Sequence, residues 1–128
     1  MPIFASTPPP ELFIRQISET LARFTQREGY DLRRLALLGW SEAQRNERLS
    51  ATMREFYMAF RDQLAGVAER WKQAGLLRDE ASPSDVAKAV LATVLGFVVE
   101  SAIMGDVEPQ ELARGVRDLA IRSSANES

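Results

Sequence analysis

The sequence predicts a single all-α domain of five to six helices, and three observations carry that expectation. Proline and glycine cut the chain into segments in which apolar residues recur every three or four positions, the period of a helix packed on one face. One segment strings Leu49, Met53, Phe56, Phe60, Leu64, Val67 and Trp71 into a continuous seam. And 128 residues, 45% apolar and 27% charged, match one soluble globular domain whose core needs no cross-links.

The elements follow in chain order. Residues 1–9 form an extended lead-in or the end of a connecting helix, stiffened by Pro8 and Pro9, and Pro10 can occupy a first helical turn, where its missing N–H is no loss. A helix then runs to about Glu28, with Phe13, Ile17, Leu21 and Phe24 on its apolar face and Gly29 as a left-handed stop. Asp31 caps a second helix, about Leu32 to Gln44, whose stripe is Leu32, Leu35, Ala36, Gly39, Trp40 and Ala43. Asn46 caps the third and longest, about Glu47 to Ala74. It ends at Ala74-Gly75-Leu76, which resembles a Schellman stop with Leu76 folding back onto Trp71. Ser82-Pro83-Ser84-Asp85 combines a Ser cap, a first-turn proline and an acidic residue three positions after the cap, and opens a fourth helix to about Met104. Pro109 opens the last helix, which ends near Arg122. The domain thus spans residues 10–122, and residues 123–128 are expected to be a disordered polar tail.

Composition excludes several function classes. The absence of cysteine rules out disulfides and thiol catalysis, and the absence of histidine removes the commonest general base and the commonest transition-metal ligand. No metal and no cofactor is therefore expected. An enzyme would need a carboxylate pair or a lysine in a pocket, and Lys72 and Lys88 both fall on faces that read as solvated. Sixteen Lys and Arg against eighteen Asp and Glu leave a net charge of -2, whereas a chain that neutralises many phosphates carries a basic excess. Nucleic-acid binding by this chain alone is not expected. Residues 1–10 lack the basic start and apolar run of a signal peptide. The longest apolar stretch, Val86 to Met104, is broken by Lys88, Thr93, Glu100 and Ser101 and reads as a buried helix rather than a membrane span.

Two regions remain as candidates. The fourth helix is apolar nearly all round and needs cover on more than one side. Val90, Val94, Phe97 and Ser101 suit the long third helix. Ala89, Ala92, Gly96, Val99 and Ile103 form a second face whose small residues let another backbone approach, either in a symmetric contact with a second copy through the last two helices or in a tight crossing within the chain. Gly115 in the last helix belongs to the same argument, since a glycine inside a helix costs about 1 kcal/mol relative to alanine. The second region is the concentration of Trp40, Met53, Phe56, Tyr57, Met58 and Phe60 on consecutive helices, which is either core or the lining of an apolar cavity with Tyr57 as its hydroxyl handle. Val94 and Phe97 are expected to converge on the same space. Glu100 stands either at a solvated edge or as a polar anchor.

From the break at Gln44-Arg45-Asn46 through the long amphipathic helix, the Ala-Gly-Leu-Leu turn at 74–77 and Ser82-Pro83-Ser84-Asp85 with Gly96 in the middle of the next helix, the chain resembles the C-terminal regulatory domain of TetR-type transcriptional repressors. The resemblance covers roughly residues 10–122 and implies a cytoplasmic, non-enzymatic homodimer in which the last two helices of each subunit form a four-helix bundle. The dimer contact would then comprise Ala89, Ala92, Gly96, Val99, Ile103, Leu112, Gly115, Val116 and Leu119. A small apolar effector would bind at Trp40, Met53, Phe56, Tyr57, Phe60, Val94, Phe97 and Glu100. Family members place a helix-turn-helix domain before this region, and residues 1–7 resemble at most the end of the connecting helix, so the chain is expected to be a fragment whose full-length form binds DNA. The rival reading is a stand-alone helical adaptor without a small-molecule ligand.

Overall fold

The computed structural model describes residues 8–27 and 32–125, with side-chain surroundings for 8–23 and 36–119. Five helices follow one another: α1 Pro10–Arg27, α2 Leu32–Ala43, α3 Glu47–Gln73, α4 Pro83–Ile103 and α5 Pro109–Ala125, with no strand among the described residues. The fold is all-α, as the pattern requires. The stop at Gly29 and the cap at Asp31 lie outside the described residues. Helix ends fall within a residue of expectation except in α5, which continues through Ala125, so residues 123–125 are helical rather than part of a tail.

The helix signals act as their chemistry dictates. Asn46 Oδ1 accepts the Leu49 N–H at 3.1 Å, and Ser82 Oγ accepts the Asp85 N–H at 3.2 Å, each satisfying one of the donors a helix start leaves unpaired. At the start of α5, Glu111 reaches back and its Oε1 accepts the Glu108 N–H at 2.9 Å. Helix α3 stops in a full Schellman motif, in which the Leu76 N–H bonds the Trp71 carbonyl at 2.9 Å and the Gly75 N–H bonds the Lys72 carbonyl at 3.0 Å. Gly75 sits at φ +77, the left-handed region that a Cβ penalises. Leu76 itself is 46% exposed, and Leu77 is the residue that packs against the core.

Lys72 departs from its expected solvated position. It is half-buried, and its Nζ donates to the Ala81 carbonyl at 2.9 Å, which ties the end of α3 to the loop before α4. Lys88 is exposed, as expected. In the same loop a backbone hydrogen bond, and then the guanidinium of Arg78, hold the exposed Glu80 carboxyl below its usual range.

Helices α3 and α4 make the most extensive contact, α1 lies along α5, and α2 packs on both α3 and α4. The main core joins Phe13 and Ile17 of α1, Leu64, Val67, Ala68 and Trp71 of α3, and Ala87, Val90 and Val94 of α4. The face of α4 assigned to α3 is the buried one: Val90, Val94, Phe97 and Ser101 are all inside.

Candidate functional site

Helix α2 turns Trp40 toward α3, where its Nε1–H donates to the Tyr57 hydroxyl at 2.8 Å. The two ring centroids lie 6.4 Å apart with planes inclined at 54°. Phe56 presents an edge to Tyr57 at 5.3 Å and 82°. The Tyr57 oxygen is thus engaged as an acceptor, while its own proton can still be donated to a third group. Trp40, Met53, Tyr57 and Phe60 are half-buried.

The inward orientation expected of Phe56 is not found. Its side chain is 65% exposed and reaches the cluster only through Tyr57. Phe60 packs against the core cluster that contains Val94, and Phe97 is buried one turn further along α4. Glu100 is half-buried, and its backbone carbonyl accepts the N–H of Met104 at 2.8 Å and of Gly105 at 3.2 Å as α4 ends. The expected ligand residues therefore fall into two sets: a half-open aromatic group on α2 and the first half of α3, and a packed set led by Phe60, Val94 and Phe97. The first set can stack on or enclose an apolar molecule and offer one hydroxyl.

The second candidate region lies on the outside of the chain. On α4, Ala89 and Ala92 are exposed, Gly96 and Val99 half-buried and Ile103 exposed; on α5, Leu112 and Val116 are half-buried while Gly115 and Leu119 are exposed. A Cβ built on Gly96 or Gly115 would meet nothing within 4 Å among the described residues. Among the described residues no tight crossing accounts for either glycine. By length and composition α4 could cross a membrane, yet only 33% of its most apolar window is buried within one copy of the chain. Among the described residues no group of three or more carboxylates could hold a metal ion.

Two features have no counterpart in the pattern-based reading. The Trp71 indole N–H donates to the Pro8 carbonyl at 2.6 Å, across 63 residues of sequence, and its ring meets Phe13 edge-on at 5.4 Å. Helical periodicity marks Trp71 as core but carries no signal for a backbone partner so remote. Ser18 and Ser101 are buried with no hydrogen-bond partner for either Oγ among the described residues. A serine at a buried helical position looks the same in sequence whether its hydroxyl is paired or not.

No curated protein and no solved structure matches the chain. The family of BetI-type transcriptional repressors, C-terminal domain, matches residues 13–123, from the first core phenylalanine of α1 to the last turns of α5. With five helices in the order that family resemblance implied, the chain belongs to the C-terminal regulatory domains of BetI-type repressors, within the TetR family.

Proposed function

We propose that the chain is the ligand-sensing and dimerisation domain of a cytoplasmic TetR-like repressor, in which a small, mostly apolar effector controls DNA binding by an N-terminal domain. The observation that carries the pairing is the uncovered face of α4. A 21-residue apolar helix with a third of its apolar window inside, and with Gly96 on it and Gly115 on α5 each open to 4 Å among the described residues, calls for a second backbone. Symmetric pairing of α4 and α5 supplies one. The reading assigns no catalytic step, no cofactor, no metal and no membrane contact, and the chain alone is not expected to bind duplex DNA.

The effector belongs beside Trp40, Met53 and Tyr57, where aromatic faces and the Tyr57 proton meet, with Phe60, Val94, Phe97 and Glu100 as the remaining, inner contacts. Phe56 is the edge of that region. An effector that fits one arrangement of α3 better than another shifts the population of dimer geometries, and so the spacing of the two DNA-reading heads.

Sedimentation of the chain at micromolar concentration tests the pairing. A dimer is expected, and Gly96→Leu should move it toward monomer while leaving the helical content intact, because overpacking a close contact costs ~1–3 kcal/mol and a single copy leaves that position open. A monomer for the unmodified chain overturns the pairing. Effector binding is read in the Trp71→Phe background as a change in Trp40 emission on titration with a panel of small apolar compounds. If none changes it, the chain is the adaptor.

A further inference from the structure

We infer that Pro8, Pro9 and Pro10, pinned by Trp71, form a rigid joint through which helix α3 sets the direction of the chain that precedes Pro8. This deepens the regulatory reading only in what the joint transmits; its stiffness stands on separate observations.

The end of α3 is fastened through both its backbone and its side chains. The Trp71 backbone carbonyl accepts the Leu76 N–H that closes the helix, and Lys72 is tied to Ala81 in the next loop. Between them the Trp71 side chain, 1% exposed, gives its only N–H to the Pro8 carbonyl. Phe13, fully buried, braces the indole from α1, and its own N–H bonds the Pro9 carbonyl at 2.9 Å. Two successive carbonyls of the lead-in are thus held, one by α3 and one by α1.

The prolines convert that anchoring into direction. Each ring locks φ near about -65°, and a residue that precedes proline is confined to extended backbone, so Pro8 and Pro9 lose both of their soft torsions. Pro10 is already the first residue of α1. A glycine- or serine-rich linker at this place would let the preceding segment swing freely. Here the Trp71–Pro8 bond and the confined proline torsions leave little rotation between the end of α3 and Pro8, so a displacement of one is passed to the other. Tyr57 and Phe60 lie on the same continuous helix, so whatever tilts α3 at the aromatic group tilts the joint.

The chain has no native cysteine, so two introduced thiols carry spin labels uniquely. Thr7→Cys with Glu55→Cys, an exposed site on α3, diluted in unlabelled chain, gives the intrachain distance distribution between the lead-in and the helix. A single narrow distribution is expected. Trp71→Phe, which keeps a ring for Phe13 but removes the N–H, should at least double its width, and so should Pro9→Gly, which keeps both carbonyls but frees the torsions. A broad distribution in the parent, or a width unchanged by either folded variant, overturns the joint. If Trp71→Phe fails to fold, exchange of the Trp71 indole proton in the otherwise unmodified chain decides with Pro9→Gly: at least tenfold slower than free indole is expected, and exchange at the free rate overturns the bond. None of these readings needs an effector or a second copy, so loss of the sensor reading leaves the joint standing, and the reverse.

Discussion

Phe56 and Val67 stand in the same row of helix α3. They are eleven residues apart, three turns, and about 20° from one another around the axis. Val67 is 1% exposed and Phe56 65%. The difference lies in what faces them. The second half of α3 is covered by Phe13 and Ile17 from α1 and by Ala87, Val90 and Val94 from α4, whereas the first half meets the shorter α2 through Trp40. One helix therefore has an anchored end, packed on two neighbours, and a more open end that meets a shorter one. Periodicity identifies the face a helix turns inward, but only the lengths and positions of its neighbours decide how far along that face the cover extends.

The largest expected effect belongs to the anchored end. Trp71→Ala should cost ~3–5 kcal/mol in urea unfolding, the loss for a large buried aromatic. A cost near that of an exposed residue would break the distinction between the two ends. Gly75→Ala should cost about 1–2 kcal/mol, because alanine is strained in the left-handed conformation of the Schellman stop. At the open end the losses should be smaller. Tyr57→Phe removes the acceptor for the Trp40 indole and should cost ~0.5–1.5 kcal/mol, with a change in Trp40 emission as a direct sign. Phe56→Ala should stay within about 0.5 kcal/mol, as surface changes usually do. Glu80 gives the smallest effect and a pH signature. Its folded-state pKa is lowered, so its contribution is present above the unfolded glutamate range and lost as pH falls through the lower folded value. The stability gap between the parent and Glu80→Gln should therefore close on acidification through that window.

Local chemistry made most of the fold legible. Asn46, Ser82, Pro83 and Gly75 each act through neighbours within a few residues, so the sequence around them states where helices start and stop. The two faces of α4 were legible for a similar reason: large apolar residues mark one and small residues the other. The candidate site was less so. Phe56 shares its place around α3 with the buried Val67, and what exposes it is the shorter cover over the first half of the helix. Spacing alone put Phe56 on the seam and Tyr57 beside it. The bond from Trp71 to Pro8, the fastening of Lys72 and the hydroxyls of Ser18 and Ser101, unpaired among the described residues, all depend on how distant segments meet, which no local pattern encodes.

The open glycines of α4 and α5 carry a consequence for dosage. In a solitary chain Gly96 and Gly115 weaken their helices by about 1 kcal/mol each relative to alanine and, among the described residues, make room for nothing. Compensation from a second copy arrives by mass action, so stability would be a function of how many copies are present. Melting temperature should climb with protein concentration. In a cell holding few copies, newly made chains would spend longer in their weaker solitary form, exposed to proteases, until a partner is found. The same two residues, if they admit a partner as proposed, would then set a lower bound on the abundance at which the regulator persists.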